Sequence, residues 1–299
     1  MTQSPRQEPL FGRIALIGLG LIGSSLARVI RRDRLAGALV ACDADAGVRA
    51  KLRELDLADV VEADIGTAVA EADLVVVCTP VSTYTKLGEA IGPRLKKGAI
   101  LSDVGSVKQI ALTDLGAHLR EGVHFVPGHP IAGTENSGPE AGFAELFQGR
   151  WCILTPPPDA APAAVDKVAS LWERAGMKIV TMDAAHHDRV LAITSHVPHL
   201  IAYTIVNTVA DLEGHLKAEV IKFAASGFRD FTRVAASDPV MWRDVFLNNR
   251  EAVLEMLGRL YEDIALLQKA IRLGDGETLE RVFSRSRKIR RALVQAKQD

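Results

Sequence analysis

A glycine-rich motif near the N-terminus constrains the fold of this chain more than any other feature. Residues 18–23 read Gly-Leu-Gly-Leu-Ile-Gly, directly after a short apolar run at residues 13–17 and at the start of a helical pattern over residues 21–31. A strand that turns through G-x-G-x-x-G into a helix opens a dinucleotide-binding unit. The alternative is an ordinary glycine-rich turn, which would not need this position between a strand and a helix. The motif therefore predicts an α/β fold of the Rossmann type.

Each residue of the motif has a physical role in the predicted cofactor site. Gly18 permits the tight turn, Gly20 lets the backbone approach a pyrophosphate, and Gly23 lets the helix pack closely on the strand. Leu21 and Ile22 open the helix, whose free N–H groups and positive dipole end attract phosphate.

Two further segments are assigned to the same site. Asp43 ends the second predicted strand, where a carboxylate accepts hydrogen bonds from the adenosine ribose and repels a 2′-phosphate. NAD is therefore the expected cofactor. The alternative for Asp43 is a cap on the next helix. Thr79 and Pro80 follow the apolar strand at residues 74–78 and are expected to line the cofactor site.

The pattern of the chain changes near residue 183. Before this point short apolar runs alternate with helical patterns, which is typical of a parallel sheet with crossover helices. After it no strand-like run recurs, and one long helix is expected over residues 184–212 with a kink at Pro198. The prediction is an α/β Rossmann-type NAD-binding domain at residues 1–183, followed by an all-α substrate and dimerisation domain at residues 184–299.

Composition narrows the class of protein and its partners. The 299 residues are 48% hydrophobic with a formal net charge of −1, which favours neither nucleic acid nor an anionic membrane as a partner. No apolar run approaches the roughly 20 residues of a membrane helix. The three cysteines lie far apart and form no disulfide framework or CxxC site, so the cytoplasm is the expected location.

A histidine on a glycine-rich segment is the strongest catalytic candidate. Residues 128–135 read Gly-His-Pro-Ile-Ala-Gly-Thr-Glu, and Pro130 restricts His129 to extended conformations. His129 is therefore expected in a turn at the end of a strand, where open α/β sheets bind ligands. A base beside a nicotinamide suggests the oxidation of an alcohol. The alternative is a turn histidine that is hydrogen-bonded to the backbone.

Five motifs, in the same order along nearly the whole chain, resemble those of the prephenate/arogenate (cyclohexadienyl) dehydrogenases of tyrosine biosynthesis. They are the glycine motif at 18–23, Asp-Val-Gly-Ser-Val-Lys at 103–108, His-Pro-Ile-Ala-Gly-Thr-Glu at 129–135, Ser-His-Val-Pro-His at 195–199 and Gly-Phe-Arg-Asp-Phe-Thr-Arg at 227–233. The resemblance implies an NAD-dependent homodimer that oxidises prephenate or arogenate, with loss of the ring carboxylate as CO2.

The resemblance also implies roles for residues of both domains. His129 is the base for the substrate hydroxyl, and Ser106 orients it beside the cofactor. Arg233 grips a substrate carboxylate, for which its planar fork suits better than lysine. Glu135 lies near the substrate and helps to control access. The plainer alternatives are a helix cap for Ser106, a surface ion pair for Arg233 and a solvated carboxylate for Glu135.

The remaining predicted substrate residues lie in the all-α part. By resemblance, Ser195, His196 and His199 stand at the pyruvyl end of the substrate, and packed interface histidines remain the alternative. A zinc site is not expected, because no third ligand accompanies the two histidines. Arg229 is a further substrate contact, at a position where some family members carry lysine.

Two other functions share this two-domain pattern. A β-hydroxyacid dehydrogenase relies on a catalytic lysine on an interdomain helix, where this chain has the Ser-His-Val-Pro-His motif. A non-catalytic NAD-binding regulator would not need His129 and Arg233 together. The apolar stripes of the last helices exceed what one small helical domain can bury, which favours a homodimer.

Overall fold

A six-stranded parallel sheet forms the centre of the N-terminal part of the chain. The structure is a computed structural model that describes residues 8–295. The strands are β1 Phe11–Ile17, β2 Ala36–Cys42, β3 Val60–Glu62, β4 Leu74–Val77, β5 Ile100–Asp103 and β6 His124–Phe125. Their order is β3-β2-β1-β4-β5-β6 with every pair parallel, which is the doubly wound order of dinucleotide-binding folds. The predicted Rossmann-type fold is confirmed.

Helices cover both faces of this sheet, so its strands are apolar on both sides. The connecting helices are α1 Leu21–Arg32, α2 Ala46–Glu54, α3 Ile65–Val69, α4 Tyr84–Ile91 and α5 Lys108–Ile110. Ile14 and Leu16 of β1 belong to the core on one face, and Ala15 and Ile17 to the core on the other. Strand β3 and helices α2 to α4 were not among the predicted elements, because short segments with few apolar residues give weak periodicity.

A second, three-stranded sheet carries the histidine motif. Its strands are β7 Gly128–Pro130, β8 Trp151–Leu154 and β9 Lys178–Thr181, and helix α6 Pro162–Arg174 connects the last two. Strand β7 is antiparallel to β8 and pairs His129 with Ile153. His129 thus lies inside a short edge strand and not in the predicted turn. An edge position tolerates Pro130, which has no N–H to donate to a partner strand.

Helices make up the rest of the described chain. They are α7 Ala184–Leu191, α8 Val197–Ala210, α9 Gly214–Phe223, α10 Ser226–Thr232, α11 Pro239–Asn248, α12 Arg250–Leu273 and α13 Gly276–Gln295. A π-helical turn, Ala192–His196, joins α7 to α8. The predicted single helix with a kink at Pro198 is therefore a helix with a wide turn just before this proline. The wider turn accommodates a ring that would clash with a regular preceding turn.

The chain divides into two compact units after residue 250. The first unit runs to Arg250 and contains both sheets together with helices α1 to α11. The second begins at Glu251 and consists of α12 and α13. The predicted domain boundary at residue 183 marks where the secondary structure becomes all-α. It stays a prediction.

One helical stretch is long and apolar enough to cross a membrane by length and composition alone. It runs from Ala184 to Ala210 with a mean hydropathy of 1.2. Its first half contains His187, Asp188 and His196, all buried and hydrogen-bonded within the protein. With these internal polar contacts, the stretch is weak evidence for a membrane span. It is longer than the apolar runs that we expect from the sequence.

Candidate active site

The glycine turn between β1 and α1 has the shape that a dinucleotide requires. Gly18 has φ +87°, and a Cβ there would lie 2.5 Å from Thr79 Cγ2. A Cβ on Gly23 would lie 2.2 Å from the carbonyl oxygen of Gly18, whereas one on Gly20 would meet nothing within 4 Å. Helix α1 has no side-chain cap, so the N–H groups that open it at Leu21 and Ile22 are free for an anion. The open space at Gly20 and these free donors fit a pyrophosphate.

Asp43 ties the end of β2 to the glycine turn. Its Oδ2 accepts the backbone N–H of Leu19 at 2.9 Å, and its Oδ1 accepts that of Asp45 at 2.9 Å. Asp45, not Asp43, caps helix α2 by accepting the N–H of Val48. The cap alternative for Asp43 is therefore wrong, and its carboxylate stands beside the turn at the carboxyl end of β2.

The segment after β4 forms another wall of this turn. Thr79 is half-buried against Gly18, and its hydroxyl is 2.7 Å from the hydroxyl of Thr83. Pro80 is exposed and precedes a single turn of 3-10 helix, Val81–Thr83. Both residues thus lie at the carboxyl end of β4, where the sequence places the cofactor.

The His129 side chain is buried and connected to a second histidine that the sequence did not single out. His129 is 8% exposed, and its Nδ1 lies 2.8 Å from Nε2 of the fully buried His187. The Nδ1 of His187 lies 2.8 Å from Oδ1 of Asp188. Three side chains from β7 and α7 therefore form one hydrogen-bonded chain.

The Asp188 carboxylate assigns a tautomer to each ring in this chain. A carboxylate only accepts, so His187 donates its Nδ1–H to Asp188 and keeps an unprotonated Nε2. That nitrogen accepts the Nδ1–H of His129, which leaves Nε2 of His129 unprotonated. Among residues 8–295 no group bonds this last nitrogen, so His129 presents a free proton acceptor.

Helix α5 and a buried ion pair hold this series of hydrogen-bonded side chains in place. Asp188 accepts the backbone N–H of Lys108 at 2.7 Å and that of Gln109 at 3.0 Å. The Lys108 ammonium, fully buried, donates to Asp103 at 2.5 Å and to the Gly128 carbonyl at 2.6 Å. Asp103 in turn accepts the N–H of Gly128 at 3.2 Å. The strand residue just before His129 is thereby fixed at the carboxyl edge of the parallel sheet.

Across the part of the chain that it describes, the structure shows no direct hydrogen bond that would give Ser106 the role expected for it, so this role stays a prediction. This residue is half-buried in the turn before α5, and within residues 8–295 it makes no hydrogen bond to His129. The orienting contact comes from His187. The cap alternative for Ser106 is wrong, because the N-cap of α5 is Val107, whose own side chain makes no capping hydrogen bond. Asp188 takes the free N–H groups that Ser106 would have satisfied.

His196 has a fixed tautomer as well. The Asn249 amide donates to the carbonyl of Asp188 at 2.8 Å, and its nitrogen also lies 3.0 Å from Nδ1 of His196. An amide nitrogen only donates, so Nδ1 of His196 accepts and its Nε2 carries the proton. That Nε2–H is buried and has no partner among the described residues. The Trp242 Nε1–H is likewise buried and has no partner among the described residues.

His199 and Trp242 pack face to face on the helical side of the site. Their ring centroids are 3.7 Å apart, and His199 donates Nδ1–H to the carbonyl of Ser195 at 2.9 Å. Ser195 thus has a backbone role in the structure. Helix α11, which carries Trp242, is joined to the segment after β4 by a 2.5 Å hydrogen bond from the Ser82 hydroxyl to Asp244.

Arg233 and Glu135 form an ion pair between the two predicted halves of the site. Arg233 donates to Glu135 Oε2 at 3.1 Å, with 60% and 39% of the two side chains exposed. The charge of Arg233 also lowers the pKa of His199, after the larger effect of burial. Arg229 lies exposed on α10, one turn before Arg233. The ion-pair alternative for Arg233 is thus realised, with a partner that is itself a predicted site residue.

Burial keeps the histidines of the site neutral. It holds the pKa of His129 well below its ordinary value, and the nearby His187 and Lys108 lower it further. Burial lowers the pKa of His187 too, although the hydrogen bond to Asp188 opposes this. Burial lowers the pKa of His196 to about 4. These rings are therefore proton acceptors or neutral donors near pH 7.

The fold and this geometry define a class of protein, a dinucleotide-dependent dehydrogenase. Two family models match the chain, the nucleotide-binding domain of prephenate dehydrogenase over residues 26–181 and its dimerisation domain over residues 183–285. The chain belongs to the prephenate dehydrogenase family.

Individual relatives agree with this family. The chain is 44% identical to the cyclohexadienyl dehydrogenase of Zymomonas mobilis, over 95% of this chain and 97% of that relative. It is 32% identical to the prephenate dehydrogenase of Bacillus subtilis, over 94% and 76%. The crystal structure of the Aquifex aeolicus enzyme with hydroxyphenyl propionate and NAD+ is similar with a TM-score of 0.85 at 31% identity, covering 94% of this chain and 98% of that one.

Proposed function

We propose that this protein is an NAD-dependent dehydrogenase of tyrosine biosynthesis that oxidatively decarboxylates prephenate to 4-hydroxyphenylpyruvate and also accepts arogenate. The observation that carries the proposal is the free Nε2 of His129, which the chain through His187 to Asp188 leaves unprotonated. A neutral acceptor at the carboxyl edge of the sheet is what the oxidation of a carbinol requires. The family match supports this reaction over that of a β-hydroxyacid dehydrogenase or a regulator.

The residues around His129 supply the chemistry that the protein itself must provide. NAD, when bound, accepts the hydride from C4 of the substrate. His129 takes the hydroxyl proton through Nε2, and burial of its ring removes competing water. The buried N–H of His196 has no partner among the described residues, and we propose that it donates to a substrate oxygen that reaches it. An unpaired buried donor is costly, so a substrate that satisfies it gains affinity.

Arg233 is proposed to hold a substrate carboxylate. Its guanidinium pairs with Glu135 by one nitrogen at an exposed position, and within residues 8–295 the other donors have no partner, so they can make a bidentate contact. A carboxylate that enters competes with Glu135 for the same cation. This exchange gives Glu135 a physical means to control access, with Ser195, His199 and Arg229 proposed around the same end of the substrate.

Asp43 is proposed to favour NAD over NADP. Its carboxylate lies beside the glycine turn at the end of β2, where a 2′-phosphate would meet a negative charge. The Asp43→Asn variant keeps an acceptor oxygen for the Leu19 N–H and removes that charge. Its ratio of kcat/KM for NAD to that for NADP should therefore fall.

The functional unit is proposed to be a cytoplasmic homodimer. Helices α12 and α13 expose large apolar side chains that a monomer would leave in water, and the matching family model is a dimerisation domain. The cysteines of the chain are free thiols, which suits a reducing compartment.

Product analysis tests the proposal directly. The purified protein is incubated with NAD and either prephenate or arogenate, with absorbance at 340 nm for NADH and chromatography for the aromatic product. We expect 4-hydroxyphenylpyruvate from prephenate, tyrosine from arogenate, and a higher kcat/KM for prephenate. No NADH with either substrate would overturn the proposed function, and β-hydroxyacids serve as the control for the alternative class.

A further inference from the structure

His187 and Asp188 form a buried pair behind the catalytic base. Both side chains are at most 1% exposed, and His187 contacts His129 on one side and Asp188 on the other. His187 cannot reach a substrate that lies at Nε2 of His129, because it occupies the opposite nitrogen of that ring. Any contribution of His187 to the reaction therefore passes through His129.

The charges in this buried cluster do not cancel while the rings are neutral. Lys108 carries one positive charge, and Asp103 and Asp188 each carry one negative charge, all at fully buried positions. The Lys108 ammonium contacts Asp103, whereas the polar contacts of Asp188 come from backbone N–H groups and from His187. One additional proton would make the cluster neutral, and buried charge is stabilised when it is paired.

That proton is better placed on His187 than on His129. An imidazolium at His187 would contact the Asp188 carboxylate at 2.8 Å, whereas His129 touches no carboxylate in the described part of the chain. The charged and titratable groups around His187 are His129 on β7, Lys108 on α5, Asp103 on β5 and Asp188 on its own helix. His196 from the π-helical turn is the other titratable group close to both rings. Burial lowers the pKa of both rings, but only His187 has a hydrogen bond to a carboxylate that opposes the shift.

We propose that His187 stores the substrate proton during turnover, a step that rests on the proposed oxidation of a carbinol. The substrate O–H bond breaks as its hydrogen bonds to Nε2 of His129. The Nδ1–H bond of His129 breaks as that hydrogen bonds to Nε2 of His187, which becomes an imidazolium paired with Asp188. His129 stays neutral, and a nicotinamide bound at the glycine turn would accept the hydride that leaves C4.

The stored proton then returns along the same path. Loss of the ring carboxylate as CO2 leaves its two electrons in the ring and makes the substrate oxygen a phenolate. That oxygen takes the proton from Nε2 of His129, and His129 recovers one from His187. The sequence balances without any exchange of protons with water, which suits a pair of rings that are at most 8% exposed.

The His187→Gln variant separates storage of the proton from orientation of His129. A glutamine oxygen can still accept the Nδ1–H of His129 and keep its tautomer, but an amide does not take up a proton. His186→Gln, at the exposed neighbouring position of α7, is the matched control. Thermal unfolding and NAD binding establish that both variants are folded.

Steady-state kinetics across pH give the first readout. We expect kcat of His187→Gln to fall by at least about tenfold, a part of the 10²–10⁴ that a general base contributes, with KM for prephenate within about threefold. The acid limb of kcat should move to lower pH, because the more basic ring of the coupled pair is gone. A kcat within twofold of the wild type with an unmoved limb would overturn the proposal.

If His187→Gln does not fold, a measurement on the wild type tests whether His187 stores the proton. Histidine labelled with ¹⁵N reports the protonation of each ring as the protein is acidified without substrate. The His129 signal is assigned from the His129→Gln variant, and the His187 signal from its contact with the His129 ring. We expect His187 to take up a proton before His129, and the reverse order would overturn storage at His187. Since no substrate is present, this result is independent of the product analysis, which alone tests the proposed reaction.

Discussion

The four histidines of the site have different tasks because they have different neighbours. His129 has a free acceptor nitrogen, His187 separates it from a carboxylate, His196 has a free donor, and His199 stacks on Trp242. In the proposed mechanism, the same type of side chain therefore supplies a base, a positioning group, a hydrogen-bond donor and a wall of the site. In each case the tautomer follows from one partner whose role is unambiguous, which is a carboxylate, an amide or a carbonyl.

Neutral buried histidines make the stability of the protein depend on pH. The pKa of His196 is lowered to about 4 in the folded protein, against about 6.5 in the unfolded chain. Between these values the unfolded chain binds a proton that the folded protein does not, so stability is lost as pH falls below about 6.5. For this one residue the loss between pH 7.5 and pH 5 is about 2 kcal/mol.

Urea unfolding at the two pH values measures this effect. The loss of unfolding free energy on going from pH 7.5 to 5 should be smaller in His196→Gln than in the wild type by about 2 kcal/mol. The exposed His186→Gln variant should keep the wild-type difference. Equal pH dependence in all three proteins would show that His196 is not a buried neutral histidine.

Substrate affinity should depend on Arg233 far more than stability does. The ion pair with Glu135 is exposed, and such pairs contribute at most about 1 kcal/mol. Arg233→Ala should therefore leave the melting temperature nearly unchanged and raise KM for prephenate by at least about tenfold, the loss of one charged contact. Glu135→Gln, which frees the guanidinium, is the matched control and should not raise KM. A KM within twofold of the wild type in Arg233→Ala would exclude Arg233 as the anchor.

At the scale of elements, the turn between β1 and α1 requires glycine at positions 20 and 23 for two different physical reasons. A Cβ on Gly23 would collide with backbone, whereas one on Gly20 would enter open space. Gly23→Ala should therefore lower the unfolding free energy by about 1–3 kcal/mol through overpacking. Gly20→Ala should leave stability within about 0.5 kcal/mol of the wild type and weaken NAD binding, because the methyl group takes the place of the pyrophosphate.

Thermal unfolding and titration with NAD, followed by protein fluorescence, check this pair of variants. We expect Gly23→Ala to lose stability and Gly20→Ala to lose affinity for NAD. Tight NAD binding by Gly20→Ala would contradict the assignment of this turn to the pyrophosphate.

The sequence could predict the elements whose patterns are local. Strand β1, helix α1 and the start of helix α11 at Asp238-Pro239 follow from periodicity and capping residues within a few positions. The pairing of β7 with β8 could not be predicted in this way. In that pair 21 residues separate Pro130 from Cys152, and tertiary packing determines which strand pairs with β7. His129 was therefore expected in a turn.

The same limit explains which site residues were missed. His129, Glu135 and Arg233 lie in motifs that resemble a family, so they could be named from the sequence. His187 is 58 residues from His129 and lies outside those motifs. A His-Asp pair in an amphipathic helix is ordinarily a solvated face, and only the position of α7 against α5 makes it a buried one.

At the scale of the whole molecule, the exposed apolar side chains of the second compact unit require a partner surface. In α12, Tyr261 is 73% exposed, Leu273 69%, Ile271 67% and Ile264 53%. Burial of such side chains contributes about 1.5–3 kcal/mol each, which is enough for a few of them to hold two chains together. This unit is therefore expected to mediate the homodimer.

Light scattering coupled to size-exclusion chromatography tests this expectation. The wild type should have the mass of a dimer at micromolar concentration, and the double variant Ile264→Arg/Ile271→Arg should shift toward the monomer. Gln268→Arg adds a charge at an exposed polar position of the same helix and should stay dimeric. A monomeric wild type would refute the proposed assembly.

The account depends most on His129 as a neutral proton acceptor in an otherwise intact site. The most direct measurement is kcat of His129→Gln with saturating prephenate and NAD, together with its NAD affinity. We expect kcat to fall by about 10²–10⁴-fold with NAD affinity unchanged, because the amide can accept a hydrogen bond but cannot take the proton. A kcat within threefold of the wild type would contradict the mechanism.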